Sequence, residues 1–310
     1  AAVLHERDVT NGELELEHRV AFARHVQYAI AWSGVDQIDD VVACGRELHP
    51  DLLVFETYAL AGPLAAELLG VPAVHHLIGV KLGHEILELA NDALAPLWRS
   101  FGADAPGYAG VYRGITLGVC PPSLDTLEMP SGELLLLRPV PLPVPTPAPG
   151  GRPLVYVTLG TFFSANLDIF KAVLAGLAGE PVDVVVTVGS SQNPAALGSV
   201  PDNARVERYI PQATLLARCA AVVHHGGSGT MLGSLAHALP QVVIPQGADN
   251  FINASMLERA GIALALRPGE VTPENARQAV RRILDDPGYL AAARAAAADI
   301  AAMPGAQHVA

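Results

Sequence analysis

The chain reads as an α/β protein in two domains, and three observations point that way. Through the second half, apolar runs of strand length alternate with amphipathic helical spacing, the pattern of a parallel sheet covered on both faces. A proline-rich seam at Leu136–Pro153 separates that half from a first half with shorter signals of the same kind. At Ala220–Ala238 a strand, a glycine turn and a helix start follow one another. Open parallel sheets hold ligands at such turns, beyond the carboxyl ends of their strands.

In chain order, Leu14–Ala31 and Val35–Leu48 have the apolar spacing of helices. Asp51–Glu56 reads as a strand, Ala59–Leu69 as a helix, Pro72–Leu77 as a strand and Ile86–Phe101 as a helix. Two clear strands before residue 100 are few for a doubly wound domain. The seam carries Pro139, Pro141, Pro143, Pro145, Pro147, Pro149 and Pro153 with Gly150-Gly151. Alternate prolines favour an extended chain without ladder donors, which suits a semi-rigid linker. The expected division is therefore residues 1–137, a linker at 138–153, and residues 154–310. After the seam, Leu154–Leu159, Val182–Val188, Ala220–His224, Gln241–Pro245 and Ile262–Leu266 are apolar and mostly β-branched, as buried strands are. Leu167–Ala178, Gln212–Arg218, Ser228–Ala238, Asn250–Ala260 and Pro273–Asp286 read as the helices between and after them.

Composition narrows the function. The 310 residues are 51% hydrophobic and 16% charged, enough for large packed cores. A net charge of −12 argues against a nucleic-acid or anionic-membrane surface, because phosphates would be repelled. The cysteines, Cys44, Cys120 and Cys219, are scattered without metal-ligand spacing, which suggests reduced thiols in a cytoplasmic protein. No apolar run reaches membrane-spanning length. Seventeen arginines stand against two lysines, a bias of GC-rich bacterial coding.

The chemistry gathers at predicted strand ends. In His224-His225-Gly226-Gly227-Ser228-Gly229-Thr230, a strand turns through glycines into a helix whose first N–H groups have no intrahelical partner. The helix dipole is positive there, so the turn suits a phosphate or pyrophosphate. Ser228 and Thr230 add hydroxyls, and His225 adds a ring N–H. Gly160-Thr161, after the first strand of this half, allows close backbone approach and offers another hydroxyl. Tyr209 could stack on a base, the Ile210 backbone could read its edge, and Gln212 could reach a ribose hydroxyl. Asp249 and Asn250 could accept from and donate to sugar hydroxyls. A dinucleotide reading fails, because the glycines do not follow G-x-G-x-x-G and the turn lies late in the domain.

Thr158-Leu159-Gly160-Thr161, Tyr209-Ile210-Pro211-Gln212, His225-Gly226-Gly227-Ser228-Gly229-Thr230 and Pro245-Gln246-Gly247-Ala248-Asp249-Asn250 occur in order. Together they resemble the donor domain of GT-B glycosyltransferases, in the bacterial natural-product branch of the UDP-glycosyltransferase superfamily. The resemblance is strong over Arg152–Pro304 and weaker over Asp51–Pro72. It implies two Rossmann-like domains facing across a cleft, with a nucleotide sugar on the C-terminal domain and a hydrophobic acceptor on the N-terminal one. It implies that His225, Ser228, Gly229, Thr230 and Thr161 contact the diphosphate, with Gly160 and Gly227 shaping that site. Tyr209 and Ile210 would meet the base and Asp249 the sugar. Where the family carries Gln after that Asp, this chain has the shorter Asn250. The strand ends at Glu56 and His75-His76 are candidates for the acceptor pocket.

The family begins with a strand and a Gly-His turn whose His is the general base. No such turn occurs here, and His5 lies outside any glycine turn. The base is therefore unassigned, and the first strands of the N-terminal domain are expected to be missing from this sequence. The function expected is inverting transfer of a sugar, a deoxysugar by resemblance, from a dTDP or UDP donor to an acceptor hydroxyl. No Asp-x-Asp is present to hold a metal, and no cofactor is expected, the nucleotide sugar being a substrate. The rival readings are a nucleotide-sugar epimerase or hydrolase of the same fold and a non-catalytic nucleotide-sugar-binding subunit. A homodimer is compatible with the sequence.

Overall fold

The computed structural model describes residues 37–129, 131–139, 151–161, 164–190 and 192–308. The helical reading of Leu14–Ala31, and most of the proline-rich seam, lie outside these residues. The chain forms two compact units. One takes in 37–76, 82–116 and 129–133 of the chain, and the other 77–81, 117–128 and 134–308.

The first unit opens with α1 (Ile38–Leu48), β1 (Leu53–Glu56), α2 (Gly62–Leu69), β2 (Ala73–His76) and α3 (His84–Ser100). Helix α2 has Pro63 in its first turn and stops at Gly70, whose φ of 68° suits a residue without Cβ. Helix α3 buries Leu87, Ala90, Leu94 and Trp98, one stripe at helical spacing. Strands β1 and β2 are parallel, with Phe55 beside His75 and Glu56 beside His76. Two further strands, β3 (Ile115–Gly118) and β4 (Glu133–Leu136), extend a sheet in the order β1-β2-β3-β4.

The second unit contains β5 (Leu154–Thr158), α4 (Leu167–Leu177), β6 (Asp183–Thr187), β7 (Ala204–Glu207), α5 (Gln212–Leu216), β8 (Ala221–His224) and α6 (Ser228–Ala236). Then follow β9 (Gln241–Val243), α7 (Asn250–Arg259), β10 (Ala263–Ala265), α8 (Pro273–Asp285) and α9 (Pro287–Ala302). The sheet runs β10-β9-β8-β5-β6-β7, and every neighbouring pair is parallel. Side-chain alternation gives it two cores. Val155, Val157, Val184, Val186 and Val223 pack with α4 and α8 residues on one face. Tyr156, Val185 and Val222 pack with Leu215, Leu216 and Leu239 on the other. Burial on both faces is why these strands are continuously apolar.

This strand order reverses direction between β5 and β8. At such a switch point the loops after the two central strands diverge and leave room for a ligand. Among the described residues, no helix is long and apolar enough to cross a membrane.

Candidate functional site

Thr158 and His224 sit side by side at the ends of β5 and β8, so the loops that follow start from one place. His224 is fully buried, and its ring shapes the turn. Its Nδ1 accepts the Gly226 N–H at 3.1 Å, which leaves the proton on Nε2 to donate to Gln241 Oε1 at 2.7 Å. Burial, and next the neighbouring His225, lower its pKa to about 3, so the ring stays neutral. Gly226 has a φ of 92°, which a side chain would resist.

His225 stands between both loops. A side chain at Gly160, whose φ is 69°, would run into the His225 ring, and so would one at Gly227. The imidazole therefore touches both turns and fixes their approach. Burial lowers its pKa, against a smaller raising effect from the Asp249 carboxylate. Helix α6 starts immediately after. Its first intrahelical bond runs from Met231 N–H to the Gly227 carbonyl at 3.0 Å, so the N–H groups of Ser228, Gly229 and Thr230 precede the helical ladder. Gly229 is exposed, with open space where a side chain would stand. A donor-rich helix end thus opens at one side.

The other expected residues surround this turn. Gln212 Nε2 donates to Thr230 Oγ1 at 3.0 Å, joining the start of α5 to the start of α6. Tyr209 is 70% exposed, while Ile210 packs against the core below it. Thr161 is exposed beside Gly160. Ser228 Oγ donates to Asp249 Oδ2 at 2.7 Å, which draws the head of α7 onto the head of α6. Asn250 is buried: its Nδ2 donates to Asp249 Oδ1 at 3.3 Å and its Oδ1 accepts the Gln246 N–H at 3.4 Å. Ala248, in the loop before it, holds a left-handed φ of 51°.

Asn253 was not singled out by the sequence, although it is central here. It is wholly buried, and its Nδ2 donates to the Gly226 carbonyl at 2.8 Å and to Asp249 Oδ2 at 3.0 Å. The only sequence signal was its place one helical turn after Asp249.

In the first unit, Glu56 and His76 are register partners at the carboxyl ends of β1 and β2. Glu56 Oε2 accepts the Tyr58 N–H at 3.0 Å. His75 is 1% exposed and stacked on Phe55, with ring centroids 4.9 Å apart. Tyr112 is tilted against the His75 ring, with centroids 5.2 Å apart. Neither ring nitrogen of His75 has a hydrogen-bond partner among the described residues, and burial, followed by the charge of His76, lowers its pKa to about 4. Among the described residues, no three His, Cys, Asp or Glu side chains gather closely enough to hold a metal ion.

Comparison with known proteins gives the same picture. Residues 171–310 match the family described as erythromycin biosynthesis protein CIII-like, C-terminal domain, and residues 7–108 match the N-terminal domain of that family. The L-demethylnoviosyl transferase of Streptomyces niveus is 33% identical over 256 residues, covering 79% of this chain and 65% of the relative. The aclacinomycin-T 2-deoxy-L-fucose transferase of Streptomyces galilaeus is 32% identical over 281 residues, 81% of this chain and 62% of the relative. The chain thus spans a little under two thirds of the length of these relatives. The crystal structure of the glycosyltransferase VinC in complex with dTDP is similar with a TM-score of 0.75 and 27% identity, covering 99% of this chain and 82% of that one. The glycine turn at the sheet's switch point and these matches agree: the chain belongs to the erythromycin biosynthesis protein CIII-like family, GT-B glycosyltransferases of the bacterial natural-product branch.

Proposed function

We propose that the protein moves a deoxysugar from a nucleoside diphosphate, dTDP or UDP, to a hydroxyl of a hydrophobic natural-product acceptor, with inversion and without a metal ion. The observation that carries this reading is the meeting of two βα loops on the His225 imidazole at the start of α6. The relatives whose names record a deoxysugar transfer, and the neighbour that binds dTDP, support the donor class.

As the acceptor hydroxyl gives its proton to a general base and its oxygen attacks the anomeric carbon, the bond from that carbon to the diphosphate breaks and negative charge grows on the leaving phosphate. The N–H groups of Ser228, Gly229 and Thr230, the hydroxyls of Ser228, Thr230 and Thr161, and the His225 ring N–H are donors for that charge. The N–H groups and the His225 ring are fixed before the reaction, so they need no reorganisation when the charge develops, while the Ser228 hydroxyl must first turn from Asp249. Burial lowers the His225 pKa, the direction that suits a ring donating as a neutral imidazole beside the helix end. Tyr209, exposed above the Ile210 anchor, is the platform for the base, and Gln212 reaches the ribose. Asp249 takes the sugar hydroxyls, with Asn250 fixing the carboxylate from behind. Glu56 and His76, at the ends of β1 and β2, belong to the acceptor side, whereas His75, expected there too, is buried against Phe55 and Tyr112 and packs the core instead. A cationic helix end in place of a metal predicts that chelation leaves turnover unchanged.

Thermal unfolding with added nucleotides tests the donor assignment. A nucleoside diphosphate at about 100 times its dissociation constant should add about 2.7 kcal/mol of stability, seen as a raised Tm. No shift with dTDP, UDP or a sugar conjugate of either would remove the assignment.

A further inference from the structure

Ser228 has one hydroxyl proton, and two acceptors claim it. In the structure it goes to Asp249 Oδ2 at 2.7 Å. A diphosphate at the start of α6 has no hydrogen of its own, so it needs that same proton. If Ser228 simply turned away, the Asp249 oxygen would lose its shortest hydrogen bond.

Asn253 resolves the conflict. Its Nδ2 carries two hydrogens and lies 2.8 Å from the Gly226 carbonyl, 3.0 Å from Asp249 Oδ2 and 3.2 Å from Ser228 Oγ. One hydrogen holds the glycine turn. The other points between the carboxylate and the hydroxyl oxygen. When the Ser228 proton swings outward, Asp249 Oδ2 keeps a donor and Ser228 Oγ keeps a partner as acceptor. The amide is wholly buried on α7, which holds these distances.

We propose that Asn253 is a positioning residue that releases the Ser228 proton from Asp249 to the diphosphate. No covalent bond changes: one hydrogen bond is exchanged for another. Asp249 Oδ2 gives up a donor in the exchange and so becomes a free acceptor for a sugar hydroxyl. Diphosphate binding thereby prepares the carboxylate for the sugar. This inference rests on the reading of the α6 start as the diphosphate site.

A double-mutant cycle on the affinity of the full chain for dTDP tests it. In the wild type, Ser228→Ala should weaken dTDP about tenfold, the loss expected for one hydrogen bond to a charged group. In an Asn253→Ala background the hydroxyl stays committed to Asp249, and Ser228→Ala should cost less than about twofold. A merely structural Asn253 would lower Tm but leave the Ser228 factor the same in both backgrounds, and that equality would overturn the exchange alone. Failure of the wild type to bind dTDP or UDP would overturn the diphosphate reading and the exchange together.

Should Asn253→Ala not fold, Asn253→Leu, of similar volume and without donor hydrogens, carries the cycle instead, and an unchanged Ser228 factor in that background would sink the proposal.

Discussion

His225 touches two glycines because each loop must bring its backbone against the same ring. Gly160 needs its left-handed φ of 69° as well, so alanine there is excluded twice. With the imidazole in place, the helix end gains a fixed donor that water cannot replace without reorganising. His225→Ala should therefore lower kcat about 100-fold, as removal of a single preorganised donor does. Steady-state turnover with a dTDP-sugar and a hydrophobic alcohol measures it, and full activity would withdraw the role. The place of His225 at the glycine turn was legible because His, Gly, Ser and Thr cluster within seven consecutive positions. The role of His224 was not. Its use depends on Gln241, seventeen residues away on β9, which sets the tautomer that closes the Gly226 turn. Asn253 was hidden for a similar reason, since its partner carbonyl lies 27 residues earlier in the chain.

At the level of elements, the strands of the second unit were readable because burial on both faces leaves them no polar alternation to confuse. Strand β7, Ala204–Glu207, escaped notice: at the end of the sheet order it carries Arg205 and Glu207 and offers no apolar run. Helix α9 escaped because alanine dominates it, so its buried stripe of Ala293, Ala296 and Ile300 barely differs from its exposed face. Helix α8 shows the opposite case. Thr272 Oγ1 accepts the Asn275 N–H at 3.1 Å, Pro273 opens the first turn, and Ala276, Ala279, Val280 and Ile283 face the core. Gly176 lets α4 approach the Pro273 carbonyl, where a side chain would collide. Thr272→Ala removes the cap and should cost about 1 kcal/mol of stability. Urea unfolding followed by circular dichroism will register it, and an unchanged midpoint would mean the cap contributes nothing.

For the whole molecule, both units bury a neutral histidine, and this makes the protein acid-labile. The folded state refuses a proton on His75 until about pH 4 and on His224 until about pH 3. An unfolded chain accepts those protons below about pH 6.5. Between these limits the unfolded state binds more protons, so stability is full above about pH 6.5 and falls as pH drops. Each tenfold protonation difference is worth about 1.4 kcal/mol, so each histidine should contribute a loss of a few kcal/mol as pH falls towards 4. His75→Leu keeps the volume beside Phe55 and Tyr112 and removes two unpaired ring nitrogens. It should raise stability near pH 5 relative to the wild type, because an orphaned polar group is replaced by an apolar one. Acid titration by circular dichroism checks this, and coincident curves would refute it.

The amino-acid order alone determined the α/β class, the alternation of elements in the second half, and the glycine turn at residues 225–230. These depend on side-chain period and local backbone freedom, both of which act over a few neighbouring residues. Tertiary structure decided which turns meet. Strand order β8-β5 brings Gly160 to His225, and the packing of α7 under α6 ties Asp249 and Asn253 to Ser228. Those partners are set by sheet topology and close packing, which no local stretch of sequence encodes.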